Sequence, residues 1–296
     1  MQPIVRSVFH APSHTFSYVA WDPATRRAAI IDPVLDYDPH SGRTGTQTAE
    51  QLIAIVEAEG LRVDWLLETH AHADHMSALA FLKARFDAPT AIGARITEVQ
   101  ARFARLFNPG EGFATDGRQF DHCFVDGETF ALGELRAQVF HTPGHTSDHI
   151  TYVIGDAVFV GDTLFMPDAG TARCDFPAGS ARDLYRSIQR LFAALDDDQR
   201  VFLLHDYGTD TREPACQTTI GEQRQANIHV AEGVSEDDYV AMREARDATL
   251  PMPVLILPAV QVNIRAGHFP PAESNGLRYL KIPVDEFGAH WQPRER

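Results

Sequence analysis

Thr69-His70-Ala71-His72-Ala73-Asp74-His75 places three imidazoles and a carboxylate within seven residues, directly after the apolar run Val63-Asp64-Trp65-Leu66-Leu67-Glu68. That run has the length and composition of a short buried strand, so the histidines are expected on the loop leaving its C-terminal end. Strand C-termini are where α/β sheets gather their sites. A single His there would be an ordinary loop residue. The alternation of His70 and His72 lets both rings point one way from an extended backbone, and Asp74 with His75 adds a second set. Clustered imidazole and carboxylate groups of this kind are ligand chemistry for a metal ion.

Three later stretches repeat the pattern. His141-Thr142-Pro143-Gly144-His145-Thr146 ends a strand with a Pro-Gly turn and delivers His145. Gly161-Asp162-Thr163 follows Val158-Phe159-Val160, so Asp162 is a carboxylate just beyond a strand end. Val201-Phe202-Leu203-Leu204-His205-Asp206-Tyr207 again brings a His to the end of an apolar strand. Each alone reads as a turn residue, but four strands ending in metal-competent residues form a joint pattern.

Composition bounds the rest. At 296 residues the chain is long enough for two average domains or one large α/β domain, and 44% hydrophobic with 23% charged content is that of a folded globular protein. A formal net charge of -15 argues against nucleic-acid or anionic-membrane partners, which need clustered Lys and Arg. Neither a leader-like N-terminus nor an apolar window of about 20 residues is found, and the expectation is a cytoplasmic enzyme. Three scattered cysteines, Cys123, Cys174 and Cys216, do not make a disulfide framework.

Strands are predicted around Ile4–Phe9, Phe16–Trp21 and Ala28–Ile31, the last stopped by Asp32-Pro33; a loop follows from Asp36 to Gly45. Leu52, Ile55 and Val56 recur at helical spacing before Gly60. Residues 75–86 are predicted helical with His75 at their start, and 96–107 form another helix. Strands return between 127 and 161. Ser180-Ala181-Arg182-Asp183 has the spacing of a helix cap, and Ser235-Glu236-Asp237-Asp238 starts a helix to about Asp247. Val254–Leu257 reads as a strand, and the sequence through Arg265, His268 and Pro270-Pro271 as an extended tail over the site or a neighbouring subunit. The order implies two sheets sandwiched by helices, with residues 1–230 as the catalytic domain and 231–296 as a C-terminal helix and tail packed on it. His10, His14, His40, His122, His149, His229, His268 and His290 are read as surface or hydrogen-bonded residues.

The set His70, His72, Asp74, His75, His145, Asp162 and His205 resembles the His-x-His-x-Asp-His signature, followed by later strand-end His, Asp and His, of the metallo-β-lactamase superfamily. The resemblance covers about residues 1–230 and implies an α/β fold, the αββα metallo-β-lactamase sandwich. Gly170-Thr171-Ala172-Arg173-Cys174-Asp175-Phe176 is similar to the Gly-x-x-Arg-x-Asp-Phe segment of the persulfide dioxygenases, and the whole also to proteins called β-lactamase hydrolase-like. What this resemblance implies is one Fe(II) per chain on His70, His145 and Asp162, two His and a carboxylate being the facial triad of non-haem iron oxygenases. It further implies oxidation of a low-molecular-weight thiol persulfide, glutathione persulfide or similar, by O₂ to thiol and sulfite. His72, Asp74, His75 and His205 would orient ligands or water, or hold a second metal; Asp74, His75, His205 and Tyr207 are the catalytic candidates. Arg173 and Tyr207 are the substrate-binding candidates, Arg173 for the carrier's carboxylate unless it pairs with Asp175 to pin its loop. Thr171-Ala172, Cys174 and the longer C-terminal segment depart from the glutathione-using members. The alternatives are a dinuclear, zinc-using thioester hydrolase like glyoxalase II and a non-catalytic persulfide or metal sensor. A homo-oligomer, a dimer, is expected.

Overall fold

The computed structural model describes residues 2–110 and 112–286. The chain begins with β1 (Ile4–His10), β2 (Thr15–Trp21) and β3 (Arg27–Ile31), then β4 (Val34–Asp38) and β5 (Arg43–Gly45), which form a hairpin where a loop is predicted. Helix α1 (Gln47–Ala58) leads into β6 (Arg62–Leu67), the strand before the histidine loop. Beyond the loop come β7 (Met76–Ser77), α2 (Leu79–Phe86), β8 (Thr90–Gly93), α3 (Ile96–Phe107) and β9 (His122–Phe124). The second half holds β10 (Thr129–Leu132), β11 (Leu135–His141), β12 (Ile150–Ile154), β13 (Ala157–Phe159), α4 (Ala181–Ala194), β14 (Arg200–Phe202), β15 (Gln217–Thr219) and α5 (Ile220–Ala226). Helices α6 (Glu236–Asp247) and α7 (Ile256–Asn263) complete the order among the described residues.

The strands build two six-stranded sheets, β1-β2-β3-β6-β8-β9 and β10 to β15 in sequence order, while β5-β4-β7 make a small third sheet. Alternation along β2 explains the layering: Tyr18 and Ala20 join the cluster between the two large sheets, with Tyr152, Phe159 and Phe202 opposite, while Val19 and Trp21 pack outward. Outside the first sheet lie Leu52 of α1, Leu82 of α2, Phe103 of α3 and Val260 of α7. Outside the second sheet Val158 and Val201 meet Leu184, Ile188 and Leu191 of α4 and Tyr239 of α6. Four layers result, helix-sheet-sheet-helix. Ser180 and Ser235 cap α4 and α6 by accepting from the Asp183 and Asp238 backbone N–H groups, as their spacing predicts.

Two predicted elements differ. His75 does not start a helix: Met76 and Ser77 pair with Leu35 and Val34, so a ladder claims these residues and α2 begins at Leu79. Val254–Leu257 is not a strand. Leu255 is the N-cap of α7 and Pro258 sits in its first turn, where a missing N–H costs nothing; a short apolar run does not distinguish the two conformations. Among the described residues the tail runs back along α7, where Gln261 exchanges hydrogen bonds of 2.9 Å with both backbone groups of Lys281, and none from 255 to 286 lines the strand-end pocket. His290 lies outside the described residues.

Candidate metal centre

The parallel pairings β3/β6 and β13/β14 bring the C-terminal ends of β6, β13 and β14 to one edge of the sandwich, where β11 also ends. The four loops that leave these ends carry His70 to His75, His145, Asp162 and His205. Thr69 N–H donates to Asp32 Oδ1 at 2.7 Å and Ala71 N–H to Asp148 Oδ2 at 2.9 Å, which fixes the loop on either side of His70. From the far end of the chain, Asn263 Nδ2 donates to the carbonyls of His72 and His75, both at 2.8 Å, and its Oδ1 accepts from Ser77 N–H at 2.8 Å.

His70, His145 and Asp162 lie together, each offering a ligand atom within 4.8 Å of the others. His145 Nε2 is 3.3 Å and His70 Nε2 3.8 Å from Asp162 Oδ2. Two ligands bound at about 2.1 Å to one ion sit roughly 3 to 3.4 Å apart, so small adjustments would accommodate a cation. The tautomers suit it. His145 donates its Nδ1–H to the Arg173 carbonyl at 2.7 Å, and His70 Nδ1 lies 3.1 Å from the Thr69 hydroxyl, which donates onward to Asp32. Each ring thereby presents an Nε2 lone pair to the cluster. Burial, then the neighbouring imidazoles, holds His70 well below its ordinary pKa, in the neutral form a ligand requires. Buried polar atoms normally find partners, yet His70 Nε2, His72 Nδ1, His75 Nε2 and Asp162 Oδ1 have none among the described residues. Of these, His70 Nε2 and Asp162 Oδ1 belong to the trio, where a metal ion would take up the orphaned ring nitrogen.

A second group adjoins the first: His72, Asp74 and His75 also offer ligand atoms within 4.8 Å of one another. Asp74 Oδ2 accepts from His75 Nδ1 at 3.3 Å and lies 3.3 Å from His205 Nε2, whose other nitrogen donates to the His14 carbonyl at 3.2 Å. Burial works against the charged form of Asp74, but His205 and His75 outweigh it and hold the carboxyl far below the usual range. Burial and His72 push His75 down to about 4. For His205, burial lowers the pKa while Asp162 and Asp74 raise it, with a net rise. His72 Nε2 meets Asp32 Oδ1 at 3.0 Å and Glu68 Oε2 at 2.8 Å. Burial disfavours its cation, yet the two carboxylates hold the imidazole well above its ordinary value, while burial lifts Glu68 to about 7. The sequence motifs thus bring all seven residues into one continuous cluster.

The cluster opens on a pocket of about 560 Å³ lined by Asp74, His145, Asp162, Phe165, Phe176 and Tyr207, with a far wall from α6 and residues 250–254. Tyr207 is 59% exposed and its ring lies nearly parallel to His205, 6.4 Å away. Arg173 lines the same pocket, but the fork offered to a carrier carboxylate closes on Asp175, with Nε and Nη2 both at 2.6 Å, and Nη1 donates to the Pro251 carbonyl at 2.7 Å.

A family model described as the metallo-beta-lactamase superfamily matches residues 11–202. The chain belongs to the metallo-beta-lactamase superfamily. Within it, the chain is 53% identical to a protein from Burkholderia pseudomallei named probable metallo-hydrolase, over 95% of this chain and 99% of that one. It is 27% identical to human persulfide dioxygenase ETHE1, mitochondrial, over 89% of each chain. The crystal structure of ETHE1 from Myxococcus xanthus superposes with a TM-score of 0.71 at 32% identity, over 90% of this chain and 100% of that chain.

In this superfamily member several site residues carry no signal comparable to the histidine loop. Asp32 ends a strand with an acid just as Asp162 does, and that parallel could have flagged it. His149 is hydrogen-bonded, as read, but at the centre: stacked on His70 at 4.8 Å, it accepts from Asp162 N–H at 2.9 Å. Gly161 makes this possible, since at φ 49° a Cβ would lie 2.6 Å from His149 Nε2 and from the Thr69 hydroxyl.

Proposed function

We propose that the protein is a mononuclear iron persulfide dioxygenase, which converts R–S–SH, O₂ and H₂O to R–SH and sulfurous acid, with R–S–SH a low-molecular-weight thiol persulfide. The observation that carries the reading is the trio His70, His145 and Asp162, two imidazoles and one carboxylate that each offer a ligand atom within 4.8 Å of the others, with His70 Nε2 and Asp162 Oδ1 unpartnered among the described residues. That donor set suits Fe(II) and leaves coordination positions for a sulfur ligand and O₂. The similarity to ETHE1 proteins supports the same reading. Iron, when bound, would supply the redox chemistry with O₂; positioning falls to the protein.

His145 would be aimed by the Arg173 carbonyl and Asp162 by His149, so both ligands stand on hydrogen bonds rather than on loop stiffness alone. Asp74, hydrogen-bonded to His75 and 3.3 Å from His205 Nε2, forms with them a polar bank beside the trio that would hold water and protons released as sulfite forms. Tyr207, on the pocket wall, would place its hydroxyl beside the substrate sulfur. Residues 1–230 would carry every candidate ligand, while α6, α7 and residues 250–254 would complete the same domain. Oxygen uptake with glutathione persulfide, stoichiometric sulfite and little turnover of nitrocefin or S-lactoylglutathione is the expected result. A second reading, a dinuclear thioester hydrolase, is favoured by the adjoining His72-Asp74-His75 group and by the metallo-hydrolase relative. Rapid thioester hydrolysis without oxygen uptake would establish it instead, and absence of turnover with either substrate would leave a sensor.

A further inference from the structure

Among the described residues three guanidinium groups line the pocket, and their pairing differs. Arg173 is closed on Asp175. Arg243, fully buried on α6, donates its Nε–H to Asp247 at 2.9 Å and Nη1–H to the Thr171 carbonyl at 3.0 Å. Arg246, one turn further along α6, is exposed and has neither an ion pair nor a side-chain hydrogen bond among the described residues. Its field is nonetheless felt: burial first, then Arg243 and Arg246, press the His229 imidazole down to about 4. An unpartnered cation in a pocket wall is notable in a chain of net charge -15, where acids outnumber bases 41 to 26.

The wall beside it is apolar. Ile228, Leu250 and Val254 are 60%, 37% and 84% exposed, and all three line this pocket. The recess therefore has donor atoms at its strand-end side, an apolar stretch, and a free guanidinium on the helix side. We propose that Arg246 binds the carboxylate of the carrier thiol, with the body of the carrier lying on Ile228, Leu250 and Val254 and its sulfur directed to His145 and Asp162. The substrate class is then a thiol bearing a carboxylate several bonds from sulfur. A single guanidinium suits one carboxylate, which it can meet bidentately. A multiply charged phosphate thiol would face Asp74, Asp162 and Asp168, which line the same pocket.

This assignment rests on the persulfide reading only for the identity of the reacting group. Calorimetric titration of the metal-loaded protein with S-methylglutathione, which cannot react, tests it directly. Arg246→Ala should weaken binding about tenfold, and Arg246→Lys should recover only part, since charge returns without the fork. The dimethyl ester of the ligand should bind wild type about as weakly as the diacid binds Arg246→Ala. Equal melting temperatures would show that this exposed substitution leaves the fold intact. Unchanged affinity in Arg246→Ala, an ester that binds wild type as well as the diacid, or no binding of the diacid to wild type overturns the proposal. If the expected affinities hold and oxygen uptake fails, the reaction is misassigned and the subsite stands.

Discussion

Replacing Arg173 separates two roles that its position in the pocket leaves side by side. The guanidinium is 15% exposed and holds Asp175 in a bidentate pair, donates to the Pro251 carbonyl at 2.7 Å and lies 5.3 Å over the Phe176 ring. A partly buried fork-to-fork pair contributes about 1 kcal/mol. The bond to Pro251 adds about 1 kcal/mol, and the ring contact about 0.5 kcal/mol. Arg173→Ala should therefore cost roughly 2 to 3 kcal/mol, and at about 2 °C per kcal/mol for a chain of this size the melting temperature should fall by about 4 to 6 °C. Loosening this loop also frees the carbonyl that orients His145, so metal affinity should drop about tenfold or more. Arg173→Lys keeps the charge without the fork and should lose about half the stability. Thermal melts, chelator competition and steady-state kinetics on the same preparations decide it. A melting temperature within about 1 °C of wild type, together with a raised KM, would refute the argument and return Arg173 to substrate binding.

The metal trio makes a sharper claim: His70→Ala, His145→Ala and Asp162→Ala should each lose the roughly one iron per chain expected of wild type, while Asp74→Ala retains much of it. Elemental analysis checks this, and two tightly held zinc ions with full activity would defeat it. His229 supplies a pH dependence away from the trio. Its imidazole, which accepts from Thr171 N–H at 3.0 Å, is held at about 4 by burial and by Arg243 and Arg246. The unfolded chain takes up a proton near 6.5 and the folded chain only near 4, so stability present above 6.5 is lost as pH falls between the two. Melting curves across that interval should drop more steeply for wild type than for His229→Asn; parallel profiles would show that another group is responsible.

The layers and the four strand ends were legible because both depend on local pattern. Apolar runs of strand length buried on two faces mark β6, β13 and β14, and a metal site at a sheet edge requires ligands immediately after such runs. What escaped depends on contacts distant in sequence. His75 belongs to a loop because Met76 and Ser77 pair with Leu35 and Val34 of β4, and the second half of the apolar run Val254–Leu257 is helical because Ile256 and Leu257 open α7, which packs outside the first sheet. His149 reads in the sequence as one more surface or hydrogen-bonded imidazole, yet Asp162 N–H donates to it and Ala71 N–H to its neighbour Asp148. Arg173 was visible as a cation in a motif; that Pro251 supplies a carbonyl to it, 78 residues on, was not.

Asn263 has a consequence for how the protein is made. Its side chain reaches back 191 residues to the His72 carbonyl and 188 to that of His75, and takes the Ser77 N–H as well. A ribosome releases every candidate ligand, through His205, well before it releases this amide. Until then three backbone groups around the histidine loop lack their partner, and an unsatisfied buried group costs about 1 to 3 kcal/mol. A nascent or prematurely terminated chain would thus carry the full ligand set on a loop that is not yet locked, and would exchange its ion freely. Tight metal retention would thereby wait on Asn263, which lies 58 residues beyond His205, so that a chain interrupted between the two would not keep an ion it cannot use.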